Sequence, residues 1–129
     1  MAMARRFENL VVWQKARTLT RGIYAVCRKP PLASDHDLVR QIRSATVSVM
    51  ANVAEGFERT SRRELLHFLS IAKASCGEVR SHLYVALDAN YLDHSDFEQI
   101  KAEAEQVSRM IAGLQSSVRR ACTGSSRRR

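Results

Sequence analysis

The sequence predicts an all-α protein, an antiparallel up-down-up-down four-helix bundle. Three observations point there. Apolar residues recur at steps of three and four over four separate stretches, the spacing of one helix face. The breaks between them are short runs of helix-ending or turn residues: Pro30-Pro31, Thr60-Ser61 and Asn90 to Ser95. No run alternates as a strand would, and 129 residues hold only two prolines and five glycines. Short connections between long helices make sequential helices antiparallel neighbours. One domain is expected over residues 1–121, followed by a disordered basic tail at 122–129.

The first helix is expected over about 10–28, with Asn9 as N-cap and Phe7 anchoring the arm before it. Val12, Ala16, Leu19, Ile23 and Val26 form its core stripe, flanked by Trp13 and Tyr24. Arg17, Arg21 and Arg28 share another face, with Lys15 nearby; an ordinary solvated face is the simpler reading of these four. Pro30-Pro31 ends the helix, because proline restricts the residue before it and cannot donate.

The second helix is expected over about 35–58, opened by Ser34 with Asp37 at its third position. The eleven residues Ser44 to Ala54 carry no charge, although charged residues make up 26% of the chain. A helix with one wet face needs charges on that face. Leu38, Ile42, Ala45, Val49 and Asn52 mark one seam, and Val39, Thr46, Met50, Val53 and Phe57 a second. Two seams suggest that one faces the bundle and the other a neighbouring subunit, with Val47 and Met50 in that contact. Asn52 and Glu55 lie three apart on one face, where they could bind a ligand or form a polar network ordering the helix. An unpaired buried Glu55 would be costly, so an arginine partner is expected. Gly56 suits close packing or a bend.

The third helix, about 62–89, opens with the capping-box pattern Ser61 to Glu64. Its stripe is Leu65, Phe68 or Leu69, Ala72, Cys76, Val79, Leu83 and Ala86. The small residues between Ala72 and Gly77 mark where it should pack tightly on the second helix. The fourth helix, about 96–120, opens with Ser95 to Glu98 and carries Phe97, Ile100, Ala104, Val107, Ile111, Leu114 and Val118. That seam suits left-handed, near-antiparallel packing.

Charge is spread unevenly. The net +8 divides into +7 over residues 1–63, −4 over 64–118 and +5 over 119–129. A basic half and a basic end favour polyanions. Arg40 and Arg43 precede the uncharged run; Arg59, Arg62 and Arg63 follow it. With Lys15, Arg17 and Arg21 they are the candidate nucleic-acid contacts. No helix-turn-helix, RNP or zinc-finger pattern accompanies them, so binding without strong sequence preference is expected. The chain has no apolar run of membrane-spanning length and no signal-like apolar core near its start, so the cytoplasm is expected. Cys27, Cys76 and Cys122 are widely spaced and read as reduced thiols.

Chemistry finds little support. A di-metal bundle site needs two Glu-x-x-His motifs, and only Glu64-Leu-Leu-His67 is present; Glu78 and His82 are spaced for one face but lack further ligands. No nucleophile elbow, phosphate loop or His-Glu-x-x-His occurs. The expectation is a protein without catalytic residues, metal or cofactor.

Several segments carry a family likeness. These are Phe7-x-x-Leu10-x-Val12-Trp13-Gln14-Lys15-Ala16, Gln41-Ile42-Arg43-x-Ala45-x-Val47-Ser48-Val49, Asn52-x-Ala54-Glu55-Gly56-Phe57 and Phe68-Leu69-x-Ile71-Ala72. In order and spacing, over about residues 7–118, the chain resembles the four-helix-bundle proteins related to the 23S ribosomal RNA intervening-sequence protein. It is also similar to the accessory variability protein of diversity-generating retroelements. The resemblance implies a ring of bundles, a homopentamer in the usual arrangement, and no catalytic residues to carry over. It implies partners of two kinds: RNA or DNA, and a reverse transcriptase or other nucleoprotein. Met50 stands where the family usually has proline, which implies a straighter second helix. The reading is thus a non-enzymatic oligomer binding nucleic acid or a nucleoprotein through basic residues. The alternative is a protein–protein scaffold that binds no nucleic acid.

Overall fold

In the computed structural model, which describes residues 6–127 (with side chains described as far as residue 121), the chain is all-α. A 3-10 turn at Phe7–Asn9 leads into α1 (Val11–Cys27); a second turn at Leu32–Ser34 precedes α2 (His36–Glu58). Then follow α3 (Arg62–Asp88) and α4 (His94–Arg127). No strand occurs among the described residues. Each helix packs on two others in the cycle α1–α2–α3–α4–α1, and the α2–α3 contact is the most extensive.

The helix starts follow local chemistry one residue at a time. Leu10, in extended conformation, begins α1 without a side-chain cap, so Asn9 does not cap it; Asn9 sits inside the preceding turn. The arm is instead held by Phe7 edge-on to Trp13, 5.1 Å between centroids, and by Gln14 Nε2 donating to Glu8 O at 2.9 Å. Asp35, not Ser34, caps α2, accepting from Leu38 N at 3.1 Å, because Ser34 is consumed in the turn Leu32–Ser34. Ser61 caps α3, accepting from Glu64 N at 3.3 Å. Asp93 rather than Ser95 receives Asp96 N at 2.8 Å, so α4 starts at His94, two residues before the expected point. The α4 backbone then continues to Arg127, past the expected end near 120. Residues 128 and 129 of the expected tail lie outside the described residues.

Asn90 ends α3. Its φ of 64° is left-handed, where asparagine is tolerated better than most residues. Tyr91 N reaches back to Ala86 O at 2.8 Å and Asn90 N to Leu87 O at 3.0 Å, a Schellman arrangement that satisfies the last carbonyls.

The core follows the predicted stripes. Leu19 and Ile23 of α1, Val49 and Val53 of α2, Leu69, Ala72, Cys76, Val79 and Leu83 of α3, and Ala104 and Ile111 of α4 have no exposure. Burying each large aliphatic side chain contributes roughly 1.5–3 kcal/mol. At the open choice in α3, Leu69 takes the core and Phe68 is half-buried.

The two seams of α2 need a different account from the expected one. Val39, Thr46 and Val53 of the second seam are as buried as Ile42, Ala45 and Val49 of the first. Because α2 packs on both α1 and α3, the bundle itself buries most of both seams, with Met50 and Phe57 of the second half-buried. The exposed part of the uncharged run is a third line: Ser44, Val47 and Ala51, with Val47 at 43% exposure. Tight packing of α2 on α3 is as expected. Ser48 Oγ and Ser75 Oγ meet at 3.0 Å across the interface. A Cβ on Gly56 would come within 3.0 Å of Leu65 Cδ1 and 3.2 Å of Phe68 Cβ. α2 runs through Met50 as one helix.

Candidate nucleic-acid interface

The basic residues chosen from sequence divide into two separate groups. Arg43 and Arg59 are sixteen positions apart on α2, so about 24 Å separates the two ends.

At one end, charge is largely compensated. Arg59 pairs with Glu55 at 3.3 Å and Glu64 at 3.6 Å, and its guanidinium lies 5.2 Å from the Phe68 ring centroid. Glu55 therefore has its arginine partner, but both side chains are at the surface and the pair is worth little. Arg62 and Arg63 follow, exposed, in the first turn of α3. Arg40, at the other end of α2, is exposed and pairs with Asp37 at 3.1 Å.

Between α1 and α2 lies a different environment. An open groove of about 470 Å³ is lined by Arg17, Thr20, Arg21, Tyr24, Arg28 and Met50. The α1 residues reach one groove because steps of four and three stay on one helical face. Met50 comes from α2, so it forms part of this groove's floor rather than a free outer face. Arg43 of α2 crosses to α1 and stacks on Tyr24, 4.7 Å from the ring centroid. Arg17 lies 5.8 Å from the Trp13 ring centroid. Such contacts hold a guanidinium plane in place while leaving its edge free for anions. The Nε of Arg43 is buried without a hydrogen-bond partner. Beside it, burial pushes the Cys27 thiol up from its ordinary value, while the Arg43 charge and hydrogen bond oppose that shift.

No carboxylate lines the groove. Among the described residues, Arg17, Arg21, Arg28 and Arg43 make no ion pair. Four uncompensated guanidiniums within a few Debye lengths attract polyanions from solution. Tyr24 and Met50 add a flat apolar surface between the charges. Guanidiniums for phosphates and an aromatic face for bases are what single-stranded nucleic acid requires.

Lys15 is two positions from Arg17, about 200° around α1, and is exposed away from this groove. The structure brings Arg17 and Arg21 into one groove and stacks Arg43 on Tyr24 at its side, while Lys15, Arg40, Arg59, Arg62 and Arg63 lie elsewhere. The sequence reading put Arg28 on one face with Arg17 and Arg21 but did not count it, or Tyr24, among the candidate contacts; both line the groove.

The other residues singled out on α2 are structural within the protomer. Asn52 Nδ2 donates to Ser48 O at 2.8 Å and Ser48 Oγ at 3.0 Å, joining the Ser48–Ser75 link. It does not bond Glu55. Gly56 is buried at the α2–α3 crossing, and Phe57 packs half-buried on the core. Glu78 and His82 approach at 3.5 Å on α3, and Glu64 serves the α3 start. No helix among the described residues is long and apolar enough to cross a membrane.

A family model described as 23S rRNA-intervening sequence protein matches residues 8–113. Among solved structures, the chain is similar to a protein of unknown function from the S23 ribosomal protein family of Bacteroides thetaiotaomicron. The TM-score is 0.75 at 19% identity, covering 81% of this chain and 98% of that one. At that identity the likeness concerns the fold alone. No curated protein matches the chain.

Proposed function

The chain belongs to the 23S rRNA-intervening sequence protein family, and on that premise we propose that it is a non-enzymatic, self-associating bundle that binds single-stranded RNA or DNA through its α1–α2 groove. The observation that carries this reading is three unneutralised arginines with Tyr24 and Met50 in one groove free of carboxylates, and a fourth, Arg43, stacked on Tyr24. Phosphates would sit on Arg17, Arg21 and Arg28, and a base would lie on the Tyr24 side. Nothing in the groove reads base edges in a fixed pattern, so affinity is largely independent of sequence. A nucleoprotein such as a reverse transcriptase complex would be reached through the same contacts.

Antiparallel up-down-up-down order and a ring of copies belong to the same proposal. Arg43 on Tyr24, Met50 beside Arg17, and the Lys29–Asp96 pair at 3.7 Å support the antiparallel order. The exposed line Ser44, Val47 and Ala51 supports self-association, because small uncharged side chains on a surface helix suit close contact with a second copy. A ring, of five copies if the family likeness extends so far, would repeat the groove and add avidity. Val47→Glu is expected to lower the light-scattering mass to that of the protomer; an unchanged mass removes this face from the assembly.

The binding test is the salt dependence of single-stranded RNA affinity. The expected log–log slope is steep, and Ala at Arg17, Arg21 and Arg28 together should make it shallower by about 2, near 0.7 per lost phosphate contact. RNA retention no better than that of an acidic control protein contradicts the proposal and favours the scaffold reading.

A further inference from the structure

We propose that the groove between α3 and α4 is a second, separate site that binds one compact phosphate-type oxyanion. It is an open groove of about 510 Å³ lined by Ser70, Lys73, Ala74, Gly77, Arg80, Ser108, Gln115 and Arg119.

The charge distribution makes the groove unusual for its region. Residues 64–118 hold eight carboxylates and only four Lys/Arg. Two of those four, Lys73 and Arg80, line this groove, Arg119 joins them from α4, and none of the eight carboxylates does. The groove is also built for an anion. Lys73, Gly77 and Arg80 are spaced four and three apart, so they follow one face of α3. A Cβ on Gly77 would lie 3.6 Å from Arg80 Nη2, so the Arg80 guanidinium lies along the helix over the glycine. Its Nε is buried without an acceptor. A buried guanidinium N–H left unpaired is costly, and an oxyanion in the groove would supply the acceptor. Gln115 is 5% exposed and donates through Nε2 to Ser70 Oγ at 3.1 Å, which fixes the amide and the hydroxyl that face the groove. Ala74 and Gly77 leave the floor low enough for close approach.

The same lining argues against a nucleic-acid strand here. No aromatic side chain lines the groove, so a base has nothing to stack on. Beyond the groove, α4 carries carboxylates such as Glu98 and Glu105 that would repel a continuing chain of phosphates. A single phosphoryl group, free or as a monoester, meets neither obstacle.

The experiment is calorimetric titration of the full chain with inorganic phosphate, and separately with glycerol 3-phosphate, against chloride at equal ionic strength. Saturable binding of one ion per protomer is expected, about tenfold weaker in Lys73→Ala and in Arg80→Gln, as loss of one charge-assisted contact predicts. Lys101→Ala, which removes a charge from α4 outside both grooves, should leave it unchanged. Tighter binding of the monoester than of phosphate identifies a phosphorylated metabolite as the source; the reverse identifies the free ion. Binding no different from chloride, or binding that both variants leave intact, overturns the proposal. Lys73 is exposed, so Lys73→Ala remains folded and decides the matter if Arg80→Gln does not.

Discussion

The bundle carries two grooves of similar size, about 470 Å³ between α1 and α2 and about 510 Å³ between α3 and α4. Both are lined by cations and free of carboxylates, yet their linings differ in chemistry. In the first, Tyr24 and Met50 form an apolar floor, and Arg43 is stacked on the ring. In the second, the floor is Ala74 and Gly77, and the walls are hydroxyls and an amide. Positive charge alone therefore does not specify the ligand. On the proposed reading the surface between the charges does: an aromatic floor suits bases, while a low floor of small residues with hydroxyl and amide walls suits a single phosphoryl group.

That contrast can be broken most strongly at Met50. Met50→Glu puts a carboxylate beside Arg17 and Arg21 in the first groove. It should weaken single-stranded RNA binding about a hundredfold, as two lost charge-assisted contacts of roughly 1.5 kcal/mol each imply. Phosphate binding in the second groove should not change, and fluorescence anisotropy with calorimetry on the same sample checks both. Removing the ring while keeping the charge is the next largest change. Tyr24→Leu should cost about 1–3 kcal/mol of RNA affinity, the range for one base on an aromatic face, with the salt slope unaltered. A shallower slope in that variant would mean that Arg43, released from the ring, was itself a phosphate contact. The smallest effect on binding is expected from Gly56→Ala, which touches neither groove. Its new methyl would meet Leu65 Cδ1 at 3.0 Å and Phe68 Cβ at 3.2 Å, so overpacking should lower stability by about 1–3 kcal/mol in denaturant unfolding while RNA affinity per folded molecule is unchanged.

Much of the fold was legible because helix periodicity is local. Val12 to Val26 and Phe97 to Ile111 are buried as their spacing predicts. Cap residues were less so: Ser34 and Ser95 have the right chemistry, but Asp35 and Asp93 take the role because the turns before α2 and α4 close one or two residues from where the pattern suggested. The second seam of α2 was misassigned for a related reason. Period alone shows that Val39, Thr46 and Val53 share a face, but not whether α1 or another subunit covers it. The proposed site was legible only where its residues share one helix. Arg17 and Arg21 are such a pair. The stacking of Arg43 on Tyr24, and the meeting of Lys73 and Arg80 with Arg119, depend on which helices pair and in what register. No single stretch encodes either. Conversely, Arg59 looks like a free cation in sequence and is tied to Glu55 and Glu64 in three dimensions.

The most direct test of the nucleic-acid reading is to map where a strand touches the protein. Backbone amide shifts should be followed by NMR during titration with a short single-stranded RNA. The account predicts perturbations concentrated at residues 17–28 of α1 and 43–50 of α2, with residues 59–63 and the α3–α4 groove little changed. Perturbations confined to residues 59–63, or none beyond those caused by added salt, would contradict it.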